Sequence, residues 1–334
     1  ADYPTVLPFV PVQFSSILTE CPCSRQCLPG ISPVMSFLSA LRLPRPDLSH
    51  RTDALLSGVL AVLAFSGSLP ATRVAVLGMS PLFLTGARGA IAAVLGALCL
   101  WAFRAPLPRK SDIGSLIIVA GGTVVGFPLL TAIALQTIAS VHSIVFTGLL
   151  PLVTALFATL LGEKRPRRMF WLFSGLGAAC ILFFALSQGF AVSPTGDLLM
   201  LAAVIVCGWG YAEGGRLGRR LGGWQVICWA LLIALPVMGP LMVLTFPADP
   251  AAIALPAWLG LGYVTLFSML IGFFFWYRGL SLGGIATIGQ LQLLQPFLAL
   301  ILAALLLREP VGPSVIAVMA AIVACVIGAR RYSA

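Results

Sequence analysis

The chain has 334 residues, of which 60% are hydrophobic and 9% charged, and its formal net charge is +10. A soluble globular chain carries about 25% charged residues, so the charges here are too few to cover a soluble surface. With a mean hydropathy of +1.05, the composition excludes an ordinary soluble fold and points to a protein solvated by a lipid bilayer. The basic residues lie between apolar runs, so they read as a topology signal and not as a nucleic-acid footprint.

Residues 1–52 contain no apolar run of spanning length and lack the basic start and apolar core of a signal peptide. Two readings stand for them: a disordered cytoplasmic segment, or, ahead of Met35, an extension that the natural chain lacks. Three of the eight cysteines, Cys21, Cys23 and Cys27, cluster here without a second pair of metal ligands. Cys99, Cys180, Cys207, Cys228 and Cys325 sit inside apolar runs, where cysteine behaves as a small hydrophobe. No metal and no cofactor is expected.

A spanning helix needs about 20 mainly apolar residues. Ten such runs follow in order: 54–76, 82–103, 113–136, 139–161, 169–186, 198–219, 224–246, 255–277, 283–307 and 311–329. With the N-terminus cytoplasmic, sixteen Lys and Arg fall in inside segments and two, Arg73 and Arg308, fall outside. That bias predicts both termini on the cytoplasmic side.

The two halves resemble each other. Asp53 opens the first span and Asp197 the sixth, each followed by two leucines within three residues. Residues 139–161 align without gaps on 284–306, with identities at Leu149/Leu294, Pro151/Pro296, Ala158/Ala303, Leu160/Leu305 and Leu161/Leu306. Gly162, Glu163 and Pro166 follow in one half, and Arg308, Glu309 and Pro310 in the other. Five spans per half is an odd number, so the halves insert in opposite orientation, a common plan of secondary transporters. The predicted fold class is an all-α integral membrane protein of ten transmembrane helices in two inverted five-helix repeats, 53–190 and 191–334.

At this point the chain resembles the EamA-type permeases of the drug/metabolite transporter superfamily. The resemblance rests on the Pro-centred fourth and ninth spans, each ending in paired leucines and an acidic residue, from Pro151 to Glu163 and from Pro296 to Glu309. Arg88 in the second span and the Gly/Ala-rich fifth and tenth spans support it. It implies that spans 1, 3, 4, 6, 8 and 9 surround a central cavity, with 5 and 10 on the periphery. It also implies transport, often export, of amino acids or related metabolites.

The spans hold no paired carboxylates, metal-ligand spacing or nucleophile motif, so no catalytic residue is expected and the chain is not read as an enzyme. Intramembrane ionisable residues are functional candidates, because burying them is costly. Arg88 and Glu213 qualify. At about 1.5 Å rise per residue, they lie roughly 9 Å and 22 Å below the outer edge, too far apart to pair. Arg88 either lines the substrate pathway, where it attracts a carboxylate, or snorkels outward. Glu213 either couples a proton or pairs with Arg216 at the cytoplasmic end.

Uncharged polar groups form a clearer pattern. Gln292 and Gln295 share a helix face before Pro296, and Ser143 and Thr147 precede Pro151 at the matching depth. A proline removes a backbone donor and breaks the helix, and freed carbonyls at membrane depth are tolerated where they line a cavity. Trp209 and Tyr211, with the aromatic run 273–277, are read as a cavity wall or as a lipid-facing belt. His142 lies nearer the outer side.

The expected function is a secondary transporter, exporting small metabolites such as amino acids or derivatives by alternating access across a bacterial cytoplasmic (inner) membrane. The expected partners are a small-molecule substrate and the bilayer, with no nucleic acid; the protein is a monomer or a homodimer. A passive pore and a non-transporting membrane component are the rival readings.

Overall fold

The computed structural model describes residues 48–163, 167–187, 194–308 and 312–332. The readings at Cys21, Cys23, Cys27, Met35, Pro166, Glu309 and Pro310 lie outside the described residues. Among the described residues the protein is all-helical. Eight helices are long and apolar enough to cross a membrane: α1 (Thr52–Val76), α2 (Pro81–Ala102), α3 (Lys110–Thr137), α4 (His142–Leu160), α6 (Pro194–Leu221), α7 (Gly223–Leu244), α8 (Leu255–Gly283) and α9 (Ile285–Leu307). Two further apolar helices, α5 (Arg168–Ser187) and α10 (Pro313–Arg330), pack on each other.

Local chemistry sets several boundaries. The Ser80 side chain accepts a hydrogen bond from the Phe83 amide and Pro81 stands at the first helical position, which together start α2. Between α6 and α7 the chain reverses at Gly222, whose φ of +93° disfavours any residue with a Cβ. Residues 48–52, expected in the N-terminal segment, are helical and continue into α1. The sixth span runs 28 residues, Pro194–Leu221, and the charges from Glu213 onward pair at its end.

The two sequence halves interleave. α2 packs along α7 and α1 along α8, while α6 packs on α3 and α4, and α9 on α1. Small residues permit the closest crossings. Gly122 of α3 lies against the Val206 carbonyl and Gly210 of α6, and a methyl group at Gly122 would overlap that carbonyl oxygen. Outward faces are apolar: Leu82, Ile91, Val94 and Leu98 of α2 are all more than 40% exposed, whereas Arg88 is 3% exposed. A charged residue turned inward and leucines turned outward invert the soluble pattern, as a lipid surround requires.

Candidate functional site

Five of the helices depart from regular α geometry. α1 breaks at Gly67, directly before Ser68. α3 is a π-helix over Ala120–Gly126 and α8 over Val264–Ile271. α4 is interrupted at Gly148 and Leu149, before Leu150 and Pro151. α9 narrows to a 3-10 turn over Gln290–Leu293, before Gln295 and Pro296. Both prolines fall within the first three residues of the helical segment that follows, where a missing N–H leaves no intrahelical bond unmade.

These irregular stretches converge on one enclosed cavity. Ser68 of α1, Thr123 of α3, Leu150 of α4, Ser268 of α8 and Gln295 of α9 all line it. Two further helices, regular where they meet it, add Arg88 from α2 and Tyr211 from α6. Phe65, Phe127 and Phe273 give it an aromatic wall. Its volume is only about 20 Å³. As it stands, the cavity holds about one water.

Arg88 dominates the electrostatics. Its Nη2 donates to Ser268 Oγ at 3.5 Å, and Ser268 Oγ donates to Ser68 Oγ at 2.9 Å. This relay joins α2, α8 and α1. Arg88 Nε is buried and has no hydrogen-bond partner among the described residues. The described lining carries no carboxylate.

The polar residues singled out in the sequence fall into distinct places. Gln295 and Tyr211 line the cavity with Arg88. Gln292 is 1% exposed, and neither atom of its amide has a hydrogen-bond partner among the described residues. Ser143 and Thr147 are buried, but their hydroxyls donate to Ser140 and Ile144 carbonyls of their own helix, at 2.9 and 2.6 Å, and neither lines the cavity.

Trp209 is 41% exposed and stacks on Phe157 at 5.5 Å, outside the cavity. Two residues along a helix rotate the side chain by about 200°, so Trp209 and Tyr211 cannot share a face. Tyr211 instead sits edge-on to Phe273 at 5.9 Å. Glu213 is 3% exposed and pairs with Arg216 at 2.9 Å.

Sequence reasoning missed Ser68, Thr123 and Ser268, single hydroxyls among apolar neighbours. Glycine clustering at Gly121, Gly122 and Gly126 was the available signal for α3. It also missed how the basic-loop end of the bundle is closed. There Arg220 of α6 pairs with the fully buried Asp112 of α3, and Arg219 with Glu163 beyond α4. Arg216 reaches Ser115 at 3.2 Å, and Arg278 of α8 pairs with Asp53 of α1 at 3.3 Å. At the opposite end His142 Nε2 meets Asp197 Oδ1 at 2.7 Å, joining α4 to α6.

The comparisons with known proteins agree with this architecture. A crystal structure of a protein shares the fold, with a TM-score of 0.66 at 20% sequence identity, covering 85% of this chain and 99% of that one. The chain is 56% identical over 286 residues to an uncharacterized transporter, YdeK, of Bacillus subtilis (strain 168), covering 86% of this chain and all of that protein. The EamA-like transporter family matches twice, at residues 53–186 and 194–330, as duplicated halves of one chain. This protein is therefore a multi-pass membrane transporter, not an enzyme, and belongs to the EamA-like transporter family.

Proposed function

We propose that the protein is a secondary transporter that exports small metabolites, such as amino acids or their derivatives, by alternating access. In this reading it spans a bacterial cytoplasmic membrane ten times, in two inverted five-helix repeats, 53–190 and 191–334, with both termini cytoplasmic. The observation that carries it is the convergence of five irregular helix segments, from both halves, on one buried polar cavity. Backbone leaves regular helix inside a membrane where it lines such a site.

The packing supports inverted repeats. α1 lies on α8 as α6 lies on α3, and α9 meets α1 as α4 meets α6. Exchanging each helix with the one five places on returns the same contacts, as a two-fold relation between halves requires. The cavity is too contracted for a metabolite, and the ion pairs at the basic-loop end join one half to the other. Parting the halves at that end would widen the cavity toward the cytoplasm.

Arg88, Tyr211, Gln292 and Gln295 are assigned to the pathway. Thr147 holds the register position of Gln292, and Ser143 lies one turn before it; both are assigned to the surface that opens as the halves part. Glu213, buried between Tyr211 and the terminal arginines, is assigned to proton coupling.

Counterflow in proteoliposomes preloaded with a panel of amino acids and derivatives tests the carrier. Transient accumulation of a labelled substrate, weakened in Gln295→Ala, is expected; a pore gives no counterflow. Glu213→Gln is expected to flatten the pH dependence of transport, and an unchanged profile removes the proton role.

A further inference from the structure

We infer that the substrate site selects small organic monoanions that carry a carboxylate and no ammonium group, with an apolar or aromatic body, over the corresponding zwitterions and amines. This rests on the carrier reading above and, within it, sets amino acids themselves aside in favour of derivatives that lack the amino group.

The inference starts from charge balance. A guanidinium keeps its proton at physiological pH. Arg88 is 3% exposed, and no acidic side chain among the described residues pairs with it. A buried cation without a counter-ion is costly, and such a charge is retained in a membrane where function uses it. Its Nε–H has no acceptor among the described residues, and its Nη2 reaches Ser268 only at 3.5 Å. The donor fork is thus nearly unoccupied, and Arg88 is one of the residues that line the cavity. A carboxylate fits such a fork with two parallel hydrogen bonds.

A monoanion brings the charge of the occupied site to zero. A zwitterion leaves it at +1, and an amine raises it to +2. An ammonium group would also need an acidic partner, and the described lining has none. Gln295 and the serine pair offer hydrogen bonds but no compensating charge. The aromatic rings are engaged with one another: Phe65 meets Phe273 edge-on at 5.1 Å, and Phe273 meets Tyr211 at 5.9 Å. They line the same cavity as Arg88, the one cation of its described lining.

The test uses three probes that share one phenylethyl body: 3-phenylpropionate (anion), phenylalanine (zwitterion) and phenethylamine (cation). Each is titrated against the purified full-length protein in detergent, reading thermal stabilisation and isothermal heat. The expected result is binding of 3-phenylpropionate at least tenfold tighter than phenylalanine, with phenethylamine weakest. Arg88→Met is expected to abolish that order while the protein stays monodisperse, since it removes a charge that nothing in the cavity balances. Arg88→Lys, which keeps the charge and loses the fork, is expected to bind the anion more weakly but still ahead of the zwitterion.

Equal or tighter binding of phenylalanine overturns the inference, as does an anion affinity unchanged in Arg88→Met, or the absence of binding by all three probes. The carrier reading is judged separately, by counterflow with the metabolite panel. Counterflow of a zwitterion with no anion preference would leave the carrier standing and remove the anion site.

Discussion

Leu150 and Gln295 occupy equivalent positions in the two halves, each directly before its proline, and both face the same cavity. One half supplies an apolar contact there and the other an amide. The repeat builds the site twice, and substitutions within it make the two sides chemically different. Gln295→Leu is therefore expected to slow transport while leaving stability unchanged or raised. Loss of one hydrogen bond of about 0.5–1.5 kcal/mol corresponds to roughly two- to tenfold weaker substrate binding, read from the half-saturating concentration in counterflow.

Trp209 and Tyr211 make a matched contrast on α6. Tyr211→Leu is expected to reduce transport at least tenfold, because Tyr211 lines the cavity. Trp209→Leu should leave the rate within about twofold, since that ring covers Phe157 on the outer face; exposed substitutions remote from special features typically change stability by about 0.5 kcal/mol or less. Initial rates at matched membrane expression decide it.

Gly121 and Gly122 are neighbours with opposite surroundings. Nothing lies within 4 Å of a methyl group built on Gly121, whereas one on Gly122 overlaps the Val206 carbonyl. Gly122→Ala is expected to cost about 1–3 kcal/mol through overpacking at the crossing of α3 and α6. Gly121→Ala should cost nothing and favour the helix. Thermal unfolding of the two purified variants separates them.

Asp112 and Glu163 each pair with an arginine of α6, but their burial differs. Asp112 is fully buried, and Asp112 Oδ2 also accepts from the Arg109 amide at 3.0 Å. Removing it is expected to cost about 1.5–3 kcal/mol, the range for hydrogen bonds to charged groups. Glu163 is 28% exposed and Arg219 43%, so Glu163→Ala should cost about 1 kcal/mol or less. If these pairs hold the basic-loop end shut, Asp112→Ala should also speed labelling of a cysteine introduced at Ser115.

Much of the architecture was legible because span formation is a local property. About 20 apolar residues must cover about 30 Å of hydrocarbon, and that can be counted along the chain. The helix interruption at Gly148 and Leu149 and the 3-10 turn at Gln290–Leu293 stand next to Pro151 and Pro296, the residues that announced them. The π stretch of α3 left only the glycine cluster Gly121, Gly122 and Gly126, and that of α8 left no comparable mark: Val264–Ile271 differs little in composition from ordinary membrane helix.

By itself the sequence determined eight of the ten segments it marked as spans, the likeness of the two halves, and that Arg88 and Gln295 are polar groups inside apolar segments. Only the tertiary structure decided which way each helix turns about its own axis. That rotation put Tyr211 inside and Trp209 outside, and it engaged Thr147 with its own backbone. It also brought Arg88 to Ser268 and Asp112 to Arg220, pairs far apart in the chain. The reason is physical: hydropathy reports the average environment of a segment, whereas a cavity is made by the faces that several helices turn toward one another.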